Sequence, residues 1–151
     1  MIIDLFKGEY GFLSNFYSTE IEYKGLTYPN AEAAFQAQKC ADDEARLKYT
    51  KKMSPVIAKR MGRKEPYLPA DWNEKAFYIM ADIVKAKFSN SELKEKLLAT
   101  GDAVLIEGNH WHDNRWGHCT CEKCQNKEYT NWLGKILMQV RSEISERNKP
   151  E

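Results

Sequence analysis

The sequence lacks any apolar run that approaches the roughly 18 residues of a membrane-spanning helix. Its first residues, Met1 to Asp4, lack the basic and apolar regions of a secretory signal. It also lacks an excess of charge, because 23 Lys and Arg stand against 22 Asp and Glu and leave a net charge of +1. Long-range attraction to nucleic acid or to an anionic membrane is therefore not expected. We expect a cytoplasmic protein without membrane contact.

Cysteine is also scarce, with only four in 151 residues, three of them crowded together in a C-x-C-x2-C pattern. This distribution does not resemble a disulfide framework and is typical of reduced thiols. The same pattern, with histidine beside it, could bind zinc, although structural zinc sites usually show two separated pairs of ligands. The candidate zinc ligands are Cys119, Cys121, Cys124 and His118, with His110 and His112 close by. We expect no required cofactor, and a zinc ion here would brace the loop rather than activate water.

Length and periodicity predict one α+β domain, predominantly α-helical, across residues 1–151 with a core at about 4–147. Short strands are predicted near Ile2 and Val104, with a hairpin over residues 21–28. Helices are predicted to begin at the caps Asn30, Ser54, Asp71 and Ser89. A last helix runs from about Asn131 to Arg147. We find no repeat, linker or low-complexity segment.

The segment Thr27 to Lys39 organises these predictions. Its predicted helix places Glu32, Gln36 and Lys39 on one face, while alanines occupy the other faces. Small side chains let a neighbouring element approach the helix closely. The face with Glu32 and Lys39 could be an ordinary exposed surface or part of a functional site. The helix dipole favours a negative charge in the first turn in either case.

Two further segments have a structural and a functional interpretation. The aromatic run from Phe12 to Tyr17 could pack as a buried loop, or it could line a substrate, with Asn15 offering an amide. The basic cluster that includes Arg60 could be a solvated helix end or a phosphate site.

The stretch Gly108 to Gly117 combines carboxylate, amide, imidazole and indole groups outside an obvious regular element, as functional loops do. Asp113 and Trp116 are its main candidates. Asp113 could instead form an Asx turn, and Trp116 could instead anchor a long loop.

Six segments, in the order in which they follow one another along the chain, resemble the YbiA-like, or NADAR, family over roughly residues 4–145. They are 11–16, 28–39, 60–63, 71–72, 107–117 and 131–138. The resemblance implies a single YbiA-like domain and an N-glycosidase that breaks the C1–N bond of a phosphorylated ribose. Family substrates include early riboflavin-biosynthesis intermediates and ADP-ribosylated guanine bases, the latter implying transient contact with DNA.

By this resemblance Glu32, Trp72 and Asp113 occupy positions important for activity. A carboxylate beside C1 can stabilise an oxocarbenium-like state or take a proton from water, so Glu32 and Asp113 are the catalytic candidates. The division of roles between them stays open. Candidate binding residues are Phe12, Asn15, Lys39, Arg60, Trp72, Trp116 and Asn131. Either tryptophan could stack on the departing heterocycle, and Lys39 and Arg60 could contact phosphate.

Two other functions remain open. A non-catalytic module could bind ADP-ribose, a nucleotide or nucleic acid through the same residues. A zinc-stabilised interaction domain could use the cysteine loop as its main feature.

Overall fold

The computed structural model describes residues 1–147. Within them the strands are β1 (Ile2–Ile3), β2 (Ile21–Tyr23), β3 (Leu26–Tyr28), β4 (Val104–Leu105), β5 (Gly108–Asn109) and β6 (His118–Cys119). The α-helices are α1 (Ala31–Ala37), α2 (Asp43–Arg46), α3 (Pro55–Gly62), α4 (Trp72–Lys87), α5 (Ser91–Ala99) and α6 (Trp132–Arg147). Short 3-10 helices lie at Gly8–Leu13, Leu47–Tyr49 and Glu122–Cys124. The predicted α+β, mostly helical class is confirmed.

Backbone contacts divide the chain into two units. The first is Asn15–Asn90, and the second joins Met1–Ser14 to the chain from Ser91 onward. The single domain predicted over residues 1–151 stays a prediction, and its last four residues lie outside the described part. Within residues 1–147 no helix has the length and hydropathy to traverse a bilayer.

The Asn15–Asn90 unit is built around α1. Every residue of this helix is buried, and α1 packs against α3, α4 and the antiparallel β2–β3 hairpin. Its alanines allow this close approach on several sides. The predicted cap is confirmed, because the Asn30 side chain accepts a hydrogen bond from the Ala33 amide at 2.8 Å. The cap and the alanines together place Glu32 in a buried first turn.

The second unit pairs β1 with β4 in parallel, matching Ile2 to Val104 and Ile3 to Leu105. Helix α6 packs against β4 and α5. Gly134 makes the contact with β4 feasible, since a Cβ there would collide with the Leu105 carbonyl oxygen. The parallel pair β5–β6, whose strands flank residues 110–117, was not predicted.

Three local predictions need correction. Helix α5 begins at Ser91, and the Ser89 hydroxyl donates instead to the Ala86 carbonyl at 2.6 Å, at the end of α4. Asp71 stands at the start of α4 without a side-chain cap bond and pairs with Lys75 at 2.7 Å. Helix α1 ends at Ala37, so Lys39 follows the helix in a turn.

Candidate active site

In the Asn15–Asn90 unit, Glu32 is a buried and oriented carboxylate. Only 8% of the residue is exposed. Its Oε1 accepts a hydrogen bond from Nε2 of Gln36, one turn later, at 2.8 Å. Its backbone amide donates to the carbonyl oxygen of Asn15 at 3.1 Å. A buried acid held in one rotamer by its own helix is suited to act on a bound substrate.

Gln36, which orients Glu32, is packed against α3. A Cβ on Gly62 would collide with Oε1 of Gln36. This oxygen is buried and accepts no hydrogen bond from any residue in 1–147. Gly62 therefore provides the space that the Gln36 amide occupies, and the unsatisfied acceptor is a site where a ligand donor or water could bind.

Lys39, just after α1, lies near two aromatic rings, those of Phe35 on α1 and Trp72 at the start of α4. The Phe35 and Trp72 rings are tilted at 52° with centroids 5.1 Å apart, and Lys39 Nζ lies 5.6 Å from the Trp72 centroid. Burial lowers the pKa of Lys39, and the Arg63 charge lowers it further, although Glu32 and Glu65 raise it. The lysine is therefore a more readily deprotonated amine than an exposed one.

Asn15 belongs to the same neighbourhood because its carbonyl accepts from Glu32. Its side-chain nitrogen contacts the sulfur of Met80 at 3.6 Å. Its Oδ1 is buried and has no hydrogen-bond partner among the described residues. The predicted amide contact to substrate stays a prediction, with this acceptor as the relevant atom.

Arg60 lies on the last turn of α3, where its residue is exposed. Helix α3, which carries Arg60, packs directly against α1, which carries Glu32. The structure thus brings Glu32, Asn15, Lys39 and Trp72 together in one unit, whereas Arg60 lies on its surface.

In the second unit Asp113 has a clear structural role. Its Oδ1 accepts hydrogen bonds from the amides of Arg115 at 3.0 Å and Trp116 at 2.8 Å. Its own backbone is held by the Asn109 side chain, which donates to the Asp113 carbonyl and accepts from the Asp113 amide. This is the loop turn considered for this residue, and a catalytic role for the carboxylate stays a prediction.

Trp116 and Asn131 connect the loop to α6. The Trp116 ring meets Trp132 edge to face at 5.2 Å, and the Trp116 carbonyl accepts from the Leu133 amide. Asn131 donates to the Leu105 carbonyl at 2.9 Å and accepts from the Glu107 amide at 3.0 Å. Both ends of its amide therefore already bind backbone, which the sequence pattern did not indicate. Binding of a heterocycle by Asn131 stays a prediction.

Phe12 is buried in the 3-10 helix of the second unit, with Lys96 Nζ 5.9 Å from its ring. This packing matches the buried-loop interpretation of the aromatic run for this residue. Its role in binding substrate stays a prediction.

Sequence reasoning missed Lys87. It is fully buried at the end of α4, with Nζ 5.6 Å from the Tyr17 ring, and burial lowers its pKa to about 7. The signal was available, because Lys87 follows Met80, Ile83 and Val84 on the buried face at helical spacing. A buried amine that titrates near neutrality is a candidate functional group.

The candidate metal ligands differ from the prediction in one member. The three cysteines converge as predicted, but the imidazole that joins them belongs to His112. His118 lies in β6 and stacks on Tyr129, with ring centroids 3.8 Å apart. The strand directs His118 away from the thiols, a distinction that sequence adjacency could not make.

A family model described as the NADAR domain matches residues 5–145, and this chain belongs to the NADAR family. It is 35% identical to N-glycosidase YbiA of Escherichia coli, over 91% of this chain and 83% of that protein. An N-glycosidase of Nostoc punctiforme is 36% identical over 89% of this chain and 86% of that protein. The NMR structure of Escherichia coli YbiA matches with a TM-score of 0.78 and 32% identity, covering all of this chain and 92% of that one.

A riboflavin biosynthesis protein of Vibrio vulnificus is also similar. It is 36% identical over 91% of this chain, which spans 36% of that longer protein. The family resemblance inferred from the six ordered segments is therefore confirmed.

Proposed function

We propose that this protein hydrolyses the C1–N bond of a phosphorylated ribose, with Glu32 as the carboxylate beside C1. The relatives support the broader statement that it is an enzyme acting on N-glycosyl bonds. The observation that carries the proposal is the Glu32 carboxylate, buried in α1 and oriented by Gln36 in the same unit as Trp72 and Lys39.

Cleavage of a ribosyl C1–N bond develops positive charge at C1 and the ring oxygen. The negative charge of Glu32 stabilises this oxocarbenium-like state, and the same carboxylate can take a proton from the attacking water. The water oxygen bonds to C1 while the C1–N bond breaks. The departing nitrogen receives a proton, so that one water is consumed and a free base and a sugar phosphate are formed.

The neighbouring groups have matching roles in the proposal. Trp72 stacks on the departing heterocycle, and the Asn15 oxygen accepts a hydrogen bond from it. Lys39 contacts phosphate in its protonated form. Because burial lowers its pKa, the same amine is also suited to proton transfer close to Glu32.

Between the two substrate classes, we infer that N-ribosyl phosphates of early riboflavin biosynthesis are favoured. The support is that a similar protein of Vibrio vulnificus carries a riboflavin-biosynthesis name. ADP-ribosylated guanine contains the same kind of bond and is the alternative.

Release of free base and sugar phosphate should be measured side by side on the riboflavin-pathway N-ribosyl phosphate and on DNA carrying ADP-ribosylated guanine. We expect the wild-type protein to cleave the first and Glu32→Gln to lose at least about 100-fold in kcat, as for removal of a general acid or base. Glu20→Gln, at an exposed position of the same unit, is the matched control and should keep full activity.

Turnover by Glu32→Gln at the wild-type rate would refute the proposed mechanism. Cleavage of the DNA substrate alone would reverse the substrate assignment. Tight binding of either substrate without release of base by the wild type would instead identify a binding module.

A further inference from the structure

The loop that contains Asp113 also holds a compact group of soft donors. One atom each of His112, Cys119, Cys121 and Cys124 lies within 4.8 Å of every other. His112 Nδ1 lies 3.4 Å from Cys124 Sγ, 3.4 Å from Cys121 Sγ and 3.9 Å from Cys119 Sγ. None of these four residues is a candidate catalytic or substrate-binding residue.

The three N···S separations match those of a tetrahedral zinc centre. Zinc bound at its usual lengths to one imidazole nitrogen and three thiolates places N and S about 3.6 Å apart and pairs of S atoms about 3.8 Å apart. The three N···S distances bracket the first value. A disulfide would join only two of the three sulfurs, and all four cysteines of the chain are free thiols.

The backbone brings the four donors together from separate turns. Cys119 lies in β6, which pairs with β5, and Cys124 closes a 3-10 helix. Cys119 and Cys124 are buried although they lie in a loop of mostly polar composition. His112 has a φ of 70°, a conformation that a non-glycine residue rarely adopts without compensating interactions.

We propose that His112, Cys119, Cys121 and Cys124 bind one structural zinc ion that fixes the conformation of residues 109–124. With four protein ligands the coordination shell is closed, as in structural rather than catalytic zinc sites. The ion provides the stabilisation that keeps His112 in its left-handed conformation and the thiolates in a buried cluster.

The zinc centre is linked directly to the Asp113 turn. Asp113 follows the ligand His112 in the chain, and the Asn114 side chain accepts from the amide of the ligand Cys119 at 2.9 Å. Zinc therefore positions Asp113 and Trp116. This positioning effect on turnover rests on the proposed function, whereas zinc binding itself does not.

The primary test is metal content. Protein purified without chelator from zinc-supplemented cells should contain one zinc per chain, measured by elemental analysis. Cobalt(II) in place of zinc should show the thiolate-to-cobalt charge-transfer and tetrahedral ligand-field bands. Removal of zinc with a strong chelator should lower Tm, and re-addition should restore it.

Variants separate the proposed ligands from their neighbours. His112→Ala and Cys121→Ser should each weaken zinc binding by more than roughly 100-fold, because loss of a ligand exceeds the effect of an outer-shell change. His118→Ala and Cys40→Ser are the matched controls and should retain one zinc per chain. These readouts do not depend on any substrate, so failure of the glycosidase proposal would leave them intact.

Absence of zinc from wild-type protein, together with no 1:1 binding in a competition titration of the wild type, would overturn the proposal. Retention of zinc by His112→Ala and its loss from His118→Ala would overturn the ligand assignment. The first outcome is read on the wild-type chain and the second on two histidine variants, so neither depends on the folding of a cysteine variant.

Discussion

At the scale of single residues, Asp113 combines a loop contact with a candidate catalytic carboxylate. Its Oδ1 caps the Arg115 and Trp116 amides. An asparagine keeps an acceptor oxygen at Oδ1 but removes the negative charge. The two roles can therefore be separated by two substitutions at this position.

We expect Asp113→Asn to keep the unfolding free energy within about 1 kcal/mol of wild type, because the turn retains its acceptor. Asp113→Ala should lose roughly 1–3 kcal/mol, since two loop amides lose their partner. The measurements are urea unfolding and kcat on the same preparations. If the charge takes part in catalysis, Asp113→Asn lowers kcat while its stability is preserved. A wild-type kcat in Asp113→Asn would show that the Asp113 carboxylate stabilises the loop and takes no part in catalysis.

Glu32 differs from Asp113 in the hydrogen-bond partners of its carboxylate. One carboxylate oxygen accepts from a side chain of the same helix, Gln36, and the residue lies in a buried first turn. The dipole of α1 favours negative charge in this first turn. Glu32 is therefore the stronger candidate of the two for the reacting carboxylate.

At the scale of elements, α1 depends on its cap. Asn30 accepts from the Ala33 amide and donates to the Met53 carbonyl at 2.9 Å. One side chain thus starts the helix that carries Glu32 and ties it to the segment that leads into α3.

Asn30→Ala should lower the free energy of unfolding by roughly 2–3 kcal/mol, because it removes a buried cap and a second hydrogen bond together. Asp42→Ala, which removes the exposed cap of α2, is the matched control and should cost only about 1 kcal/mol. Both values come from urea denaturation. Equal losses in the two variants would mean that the Met53 contact and the burial of the α1 cap contribute nothing.

The starts of α3 and α5 show when residues close in sequence suffice to predict where a helix begins. The Ser54 cap correctly predicted the start of α3, because its side chain accepts from the Ile57 amide and Pro55 takes the first helical position. A cap at Ser89 predicts a helix that starts at Asn90, yet α5 begins one residue later, at Ser91. The Ser89 hydroxyl donates to the Ala86 carbonyl at the end of α4, so Ser89 belongs to the turn that closes α4 and the next helix starts after Asn90.

At the scale of the whole molecule, two buried groups should give folding stability a distinctive dependence on pH. Burial by itself would raise the pKa of Glu65, but hydrogen bonds from Lys48 and Tyr49 lower it below 4.5. Burial lowers the pKa of Lys87 from 10.5 to about 7. The two shifts act at opposite ends of the pH range.

The folded state binds fewer protons at Lys87 than the unfolded state does between pH about 7 and 10.5. The free energy of unfolding should therefore rise with pH from 7 to about 8.5, by up to about 1.4 kcal/mol per unit. The stability contributed by Glu65 is present above its unfolded pKa and is lost as pH falls below 4.5 through its folded value. Urea unfolding across this range measures both effects.

Lys87→Met should flatten the rise above pH 7, and Lys85→Met on the exposed face of α4 should leave it unchanged. Glu65→Gln should remove part of the acid-side loss. If the free energy of unfolding of Lys87→Met still rises above pH 7, a group other than Lys87 causes the rise.

Local pattern determined much of this protein: the mostly helical α+β class, the capped α1 with Glu32 on it, and the family through six ordered segments. These features depend on caps, periodicity and residue order, which are properties of neighbouring residues. Only tertiary structure decided that His112 rather than His118 joins the three thiols, that Asn131 binds the backbone at Leu105 and Glu107, and that Lys87 is buried. The reason is physical, because strand direction, contacts between distant segments and burial arise when the chain packs.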